Sequence, residues 1–185
     1  MIRGLILIGG KSTRMGSPKY LLEINGKPQY QYLLDLFNDL KIECFLSCNK
    51  DQIGSLPQEI PKIPDIHKGK GPIGGILSAF KRYPDSSWLV VACDLPTVNA
   101  SVINKLELSN DYHYDVVVLK KEENVFFETT IAIYNPSSFP YLKVAFEKGN
   151  YSLNEVLKKC RTKALIANDP ASLKNVNRPE DLNLS

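Results

Sequence analysis

The sequence predicts an α/β fold in which helices cover both faces of a mostly parallel sheet. Short apolar runs alternate along the chain with segments of helical periodicity. The runs at residues 5–8 and 89–92 are apolar at consecutive positions, as in strands that are buried on both faces. Three runs lead into polar or glycine-rich segments, the sequence arrangement of ligand-binding loops beyond the carboxyl ends of parallel strands.

The first half of the chain predicts three strands and two helices. The strands occupy residues 4–8, 43–47 and 88–92, and the helices occupy residues 30–40 and 73–82. Leu33, Phe37 and Leu40 repeat at helical spacing in the first helix. Residues 54–71 are rich in Pro, Gly and Lys and are long for a connection, so we expect a functional loop there.

The second half continues the alternation without an internal repeat. Strands are expected at residues 115–119, 130–134 and 164–167, helices at 101–108, 136–147 and 153–159, and a closing turn at 179–184. A length of 185 residues suits one domain that spans residues 1–185.

Composition and charge exclude several classes of protein. With 43% hydrophobic and 23% charged residues the chain is not wholly disordered. Its net charge of +3 is too balanced for a protein that coats nucleic acid. The apolar run at residues 1–8 is too short for a signal peptide, and no run reaches a membrane span of about 20 residues. We expect a cytoplasmic protein without membrane or nucleic-acid partners.

The four cysteines do not predict a disulfide framework. Cys44 and Cys48 have the spacing C-x3-C, but no second ligand pair follows them. Cys44 and Cys93 lie in apolar, strand-like runs. Reduced, mostly buried thiols are therefore favoured over a zinc site.

The segment 7–19 has the composition of a triphosphate-binding loop. Its glycines and cations are Gly9, Gly10, Gly16, Lys11, Arg14 and Lys19. Exposed backbone N–H groups and cations bind phosphate oxygens, whereas a solvated turn needs neither three glycines nor three cations. The segment is not a P-loop, because Leu5 occupies the position of that motif's first glycine.

Residues 69–74 match the dinucleotide pattern G-x-G-x-x-G, but their context does not. Pro57, Pro61 and Pro64 precede the match and suit a loop better than a central strand. We expect a flexible loop that folds over a ligand, followed by a helix that opens at Gly74 and Gly75 and lets its backbone approach the ligand.

Asp94 directly follows the buried strand predicted at residues 88–92. A carboxylate at the end of such a strand can bind Mg²⁺ together with phosphate oxygens and waters. The alternative role, a cap for the helix that begins near Ser101, requires a position closer to that helix.

Four motifs together carry a family resemblance. They are L-x-G-G-x-S-x-R-M-G-x-x-K at residues 7–19, G-P-x-x-G-I at 71–76, C-D-x-P at 93–96 and N-V-N-x-P-E-D-L at 175–182. In this order and spacing the chain resembles the molybdenum cofactor guanylyltransferase (MobA) family. The resemblance implies a three-layer α/β/α, Rossmann-like fold of the nucleotide-diphospho-sugar-transferase type.

The resemblance also implies a reaction and a set of site residues. GMP would pass from GTP to molybdopterin, with Mg²⁺ as cofactor, and proteins that insert molybdenum or mature molybdoenzymes would receive the product. By resemblance, Leu7, Ile8, Gly9, Lys19 and Asp65 contact the nucleotide, Asp94 binds magnesium, and Asn177 faces the metal or the acceptor. Lys19 and Arg14 would bind the triphosphate and stabilise the departing pyrophosphate.

Two positions depart from the family pattern. Ser47 stands where many members have Asn in the nucleotide pocket, and Thr129 stands where Pro is frequent, in a region expected near the acceptor. The attacking phosphate is already ionised, so neither His67 nor His113 is needed as a base, and His113 is expected at the surface. A related transferase that uses CTP or a sugar-phosphate acceptor, and a non-catalytic nucleotide-binding module, are the alternatives.

Overall fold

A computed structural model describes residues 1–9, 18–24, 26–67 and 69–173. Within these ranges the strands are Ile2–Leu7 (β1), Glu23–Ile24 (β2), Lys27–Pro28 (β3), Cys44–Cys48 (β4), Lys62–Pro64 (β5), Ser87–Ala92 (β6), Val116–Lys120 (β7), Ile131–Tyr134 (β8) and Thr162–Ile166 (β9). The helices are Gln29–Asp39 (α1), Pro72–Arg82 (α2), Ala100–Ser109 (α3), Phe139–Glu147 (α4) and Leu153–Leu157 (α5). No helix within the described ranges is long and apolar enough to cross a membrane.

Seven strands form the main sheet in the order β5-β4-β1-β6-β8-β7-β9. β8 pairs antiparallel with β6 and β7, and the remaining neighbours pair parallel. The predicted, mostly parallel sheet is therefore confirmed. The parallel strands all end at one edge, which we call the upper edge, and begin at the opposite, lower edge.

Helices pack on both faces of this sheet and complete three layers. Ile6 of β1 faces one core, with Phe37 of α1 and Ile103 of α3. Leu5, the preceding residue, faces the other core, with Ile76 of α2 and with α4 and α5 behind it. This alternation along β1 follows from the two-residue repeat of a strand. It confirms the predicted α/β/α layering.

The predicted loop at residues 54–71 is wrong in one part, because β5 lies within it. β5 is the edge strand of the sheet and pairs only with β4. An edge strand tolerates Pro64 because one of its sides has no neighbouring strand. On that side the N–H group that proline lacks has no ladder hydrogen bond to make. The β2–β3 hairpin was also unexpected, since two-residue strands carry no periodic signal.

The remaining element bounds agree with the sequence to within a few residues. The helix predicted at 136–147 is divided into a 3₁₀ turn, Pro136–Ser138, and α4. The closing turn at 179–184 lies outside the described residues. His113 is exposed, as predicted, with 90% of its side chain accessible.

All four cysteines are free thiols. Cys48 and Cys93 are buried, and Cys44 and Cys160 are half-buried. Burial raises the pKa of Cys44, and it raises the pKa of Cys160 to about 12. The burial agrees with the prediction of mostly buried thiols, and the raised pKa values of Cys44, Cys48 and Cys160 make these three poor nucleophiles.

Candidate functional site

β1 ends at the centre of the upper edge, where Leu7, Ile8 and Gly9 were predicted to contact a nucleotide. The side chains of Leu7 and Ile8 are buried in the two cores. The N–H of Ile8 donates to the carbonyl of Ser47 at 3.1 Å, which extends the β1–β4 ladder by one bond. Gly9 is exposed, and apart from its chain neighbours no atom of the described residues lies within 4 Å of the position a Cβ would take there. The nucleotide contacts stay predictions, and the geometry favours Gly9 as the point of access.

Lys19 begins a single 3₁₀ turn, Lys19–Leu21, that lies against α1. The ring of Tyr20 is buried and packs edge-on against Tyr30 at a centroid distance of 6.1 Å. This contact fixes the backbone from which Lys19 projects. The Lys19 side chain and all of Arg14 lie outside the described residues, so their phosphate contacts stay predictions.

Asp65 follows β5 at the upper edge and organises the loop before α2. Its N–H donates to the carbonyl of Cys48 at 2.8 Å. Its Oδ1 accepts a 2.7 Å hydrogen bond from the N–H of His67 and lies 3.4 Å from Oγ of Ser78. Ser78 in turn accepts from the N–H of Ile66 and donates to the carbonyl of Gly74. Asp65 therefore holds the loop against α2, and its contact with a nucleotide stays a prediction.

Gly74 and Gly75 let the first turn of α2 approach the ends of β4 and β5. A Cβ on Gly74 would lie 3.0 Å from Oδ2 of Asp65. A Cβ on Gly75 would lie 2.5 Å from Oγ of Ser47, closer than any side chain could accept without a shift. The glycine pair thus accommodates two neighbouring polar side chains. Ser47 is only 4% exposed beneath this turn.

The glycines that match the dinucleotide pattern serve the loop backbone instead. Gly69 and Gly71 have φ values of 76° and 73°, in the left-handed region that favours glycine. The match follows the edge strand β5 and not the first strand of the sheet, so the context required by the dinucleotide motif is missing.

Asp94 lies where the sequence placed it, in a turn directly after β6. The N–H of Cys93 donates to the carbonyl of Leu7 at 3.1 Å, so the ends of β1 and β6 are joined beside it. The N–H of Leu95 donates back to Ala92 and closes the turn. Asp94 is half-buried and its Oδ1 is out of contact with solvent. The backbone that carries this carboxylate is therefore fixed at the end of a fully buried strand.

Glu128 is a further candidate site residue, which the sequence motifs did not identify. It lies on the segment between β7 and β8, where its N–H donates to Leu119 and its carbonyl accepts from Ile131, both at 2.9 Å. Burial raises the pKa of Glu128, the positive charge of Lys121 opposes that rise, and the negative charge of Asp94 adds to it. Two carboxylates thus converge on the upper edge. The sequence placed the region of Thr129 near the acceptor, but the pairing of β8 with β6, which brings Glu128 and Asp94 to the same edge, is visible only in the structure.

The donor chemistry of this pair fits a hard divalent cation. Within the described ranges no three His, Cys, Asp or Glu side chains lie close enough to hold a metal. Mg²⁺ is commonly bound by one or two carboxylates, with substrate phosphates and waters completing the octahedron. Asp94 and Glu128 supply that number of protein ligands. Asn177, a further predicted contact, lies outside the described residues.

Comparison with known proteins identifies the family of this chain. Residues 4–165 match the family model of the MobA-like NTP transferase domain. The chain belongs to this family. It is 31% identical over 179 residues to a molybdenum cofactor biosynthesis bifunctional protein of Synechocystis, covering 96% of this chain but only 52% of that protein. The chain therefore spans about half the length of that relative.

A second relative is similar in length to this chain. It is a Flavobacterium johnsoniae protein named "Probable molybdenum cofactor guanylyltransferase", 28% identical, with 96% of this chain and 93% of that protein aligned. Among solved structures, molybdopterin-guanine dinucleotide biosynthesis protein A of Archaeoglobus fulgidus superimposes with a TM-score of 0.82 at 24% identity, covering 98% of this chain and 95% of that one. A nucleotidyl transferase from Methanothermobacter gives 0.75 at 16% identity, with 98% and 94% covered. These structures confirm the nucleotidyltransferase-type fold.

Proposed function

We propose that this MobA-like domain transfers GMP from GTP to molybdopterin, forming molybdopterin guanine dinucleotide and pyrophosphate. The observation that carries the proposal is the pair of carboxylates, Asp94 and Glu128, beside the open end of β1 in an NTP transferase fold. The names of the two curated relatives support molybdopterin as the acceptor. We also propose that proteins that insert molybdenum or mature molybdoenzymes receive the product.

In this reaction a terminal phosphate oxygen of molybdopterin attacks the α-phosphorus of GTP. A new P–O bond forms as the bond between the α- and β-phosphates breaks, and pyrophosphate leaves in line. Arg14 and Lys19 bind the triphosphate and stabilise the charge of the departing pyrophosphate. Asp94 and Glu128 hold Mg²⁺, which when bound neutralises phosphate charge and orients the reacting oxygens.

Guanine recognition is assigned to the loop that Asp65 organises. Guanine presents an N1–H and an N2 amine as donors, whereas adenine has an acceptor at N1. A carboxylate that accepts from these donors penalises adenine by roughly 1–3 kcal/mol, because a buried acceptor is left unpaired. We expect GTP to bind more tightly than ATP, CTP or UTP.

Titration calorimetry with GTP and ATP in Mg²⁺ tests this base choice. Asp65→Asn keeps an oxygen that can accept from the His67 N–H and removes the charge, while Asp65→Ala removes both. We expect Asp65→Asn to lose guanine preference with the loop intact, and Asp65→Ala to lose affinity for both nucleotides. Equal affinity of the wild type for GTP and ATP would contradict guanine specificity.

A pyrophosphate-release assay with each nucleoside triphosphate, with and without molybdopterin, tests the reaction itself. The proposal expects release only when GTP and molybdopterin are both present. Release with CTP, or with a sugar phosphate in place of molybdopterin, would identify a sibling transferase. Tight nucleotide binding without release under any condition would identify a non-catalytic binding module.

A further inference from the structure

Two loops of the upper edge contact one short part of the chain, the segment 146–154, which we call the connector. It contains the last turn of α4, the link between the helices and the start of α5. We propose that the connector positions both the nucleotide loop, described at residues 66–67 and 69–71, and the acceptor segment, residues 127–130. The inference rests on the proposed function, because it assigns the two loops to GTP and to the acceptor.

Aromatic packing joins the connector to the nucleotide loop. The ring of His67 lies over Phe146 with centroids 4.3 Å apart, and Phe146 contacts Tyr151 at 5.2 Å. The ammonium of Lys70 lies 4.6 Å from the centre of the Tyr151 ring, a cation–π distance. Asp65 holds the start of the loop, and these contacts hold the loop at His67 and Lys70.

Asn154 joins the connector to the acceptor segment. Its Oδ1 accepts from the N–H of Phe127 at 2.9 Å, and its Nδ2 donates to the carbonyl of Phe127 at 3.3 Å. One side chain thus bonds both backbone groups of Phe127, as a neighbouring strand would. Glu128 is the next residue, so the Asn154 amide also holds the backbone that carries Glu128.

The connector is itself held by local hydrogen bonds. Gly149 adopts a φ of 75° as α4 ends, and the N–H of Asn150 donates to the carbonyl of Ala145. Oδ1 of Asn150 accepts from the N–H of Ser152, whose hydroxyl caps α5. A link fixed in this way transmits the positions of α4 and α5 to both loops. His67 and Asn154 are therefore positioning residues, since neither needs to touch the reacting atoms.

Variants of the aromatic stack test the first contact. We expect Phe146→Ala to weaken GTP binding about 3- to 10-fold in calorimetry, the loss expected for one aromatic pair, with kcat nearly unchanged. Trypsin should also cut faster after Lys70 in the free protein. Phe146→Leu keeps most of the apolar volume but removes the ring, so it should also weaken GTP binding and speed cleavage by trypsin. His67→Phe should retain wild-type affinity, because it preserves the ring contact.

Tyr141→Ala is the matched control, since Tyr141 is an exposed aromatic residue on the same helix. It should change neither GTP affinity nor digestion. Wild-type affinity and digestion in both Phe146 variants would overturn the proposal. Loss of affinity in His67→Phe equal to that in Phe146→Ala would also overturn it, because the imidazole and not the stack would then matter.

Variants of Asn154 test the second contact. We expect Asn154→Ala to raise the acceptor KM about 10-fold and to lower kcat, because Glu128 lies on the misplaced segment, while the GTP KM rises less. Glu155→Gln, at the neighbouring exposed position, removes an ion pair with Lys158 and should leave both KM values unchanged. An equal rise of both KM values in Asn154→Ala would overturn the proposal. If wild type releases pyrophosphate with no acceptor, the proposed function fails, while trypsin digestion of the Phe146 variants still decides whether the connector holds the loop.

Discussion

The carboxylates at the two edges of the sheet have opposite electrostatic surroundings. At the lower edge, Asp115 is 1% exposed and accepts from the backbone N–H of Arg161 and from its guanidinium, each at 2.8 Å. At the upper edge, Asp94 and Glu128 bring two like charges close together. Protein stability alone favours the first arrangement, and the second is the arrangement that the proposed Mg²⁺ site requires.

The pKa values of these groups move in opposite directions. Burial acts to raise the pKa of Asp115, but hydrogen bonds and charge from Arg161 lower it overall. Burial and the charge of Asp94 raise the pKa of Glu128 despite Lys121. The folded state therefore favours the ionised form of Asp115 and disfavours the ionised form of Glu128.

The largest effect is expected from Asp94→Asn. Removing the charge at the end of β6 should lower kcat/KM at least about 10²-fold, the scale of one lost electrostatic contact to the transition state. The thermal midpoint and circular dichroism should stay close to wild type. The measurement is pyrophosphate release at saturating Mg²⁺.

Asp85→Asn provides the matched control for that variant. Asp85 is an exposed carboxylate at the lower edge, between α2 and β6. Its loss should leave turnover unchanged. Near wild-type turnover in a folded Asp94→Asn protein would contradict the catalytic role assigned to the upper edge.

The second prediction concerns the lower edge, where Asp115→Asn should destabilise without impairing the site. The loss should be about 2 kcal/mol, since hydrogen bonds from a charged partner are removed but the Arg161 side chain is 61% exposed and stays solvated. Because the folded pKa of Asp115 is lowered, its stabilisation is present above its ordinary value of 3.8 and is lost as pH falls through the folded pKa. The free energy of unfolding, measured in urea, should therefore differ more between wild type and Asp115→Asn at pH 7 than at pH 3.

Activity at a temperature where both proteins are folded is the second readout for Asp115→Asn. It should match wild type, because Asp115 precedes β7 at the opposite edge from Asp94. A loss of turnover without a loss of stability would contradict the structural role.

The sequence predicted the upper edge unevenly, and the reason is physical. Asp94 follows a continuous apolar strand, so one local pattern gives both the strand and the position of the carboxylate. Glu128 has no such pattern, since it lies in an irregular segment that β8 and Asn154 bring into place. Long-range pairing of this kind leaves no periodic signal in the chain.

The nucleotide loop shows the same limit at β5. Three prolines indicated a loop, yet an edge position makes one of them compatible with a strand. Gly74 and Gly75 were correctly placed at the start of a helix, but the side chains of Asp65 and Ser47 that approach them could be identified only in three dimensions.

The third prediction concerns the second carboxylate of the upper edge, Glu128. Glu128→Gln preserves the shape of the side chain and removes its charge. We expect about a 10-fold fall in kcat/KM, smaller than for Asp94→Asn, because Glu128 is held by a loop and Asp94 by a buried strand. A larger effect in Glu128→Gln would reverse the assigned order of the two carboxylates.

The smallest effect is a gain in stability from the same variant. The folded pKa of Glu128 is raised above its ordinary value of 4.5, so the folded state binds more protons than the unfolded state between those two values. Stability therefore falls as pH rises through that window, and Gln avoids the loss. Because Glu128 is half-exposed and solvent screens its charge, the gain at pH 7 should be under about 1 kcal/mol and should vanish below pH 4.5. Urea unfolding across this range measures it, and a variant less stable than wild type at pH 7 would place Glu128 with Asp115 among the carboxylates that support the fold.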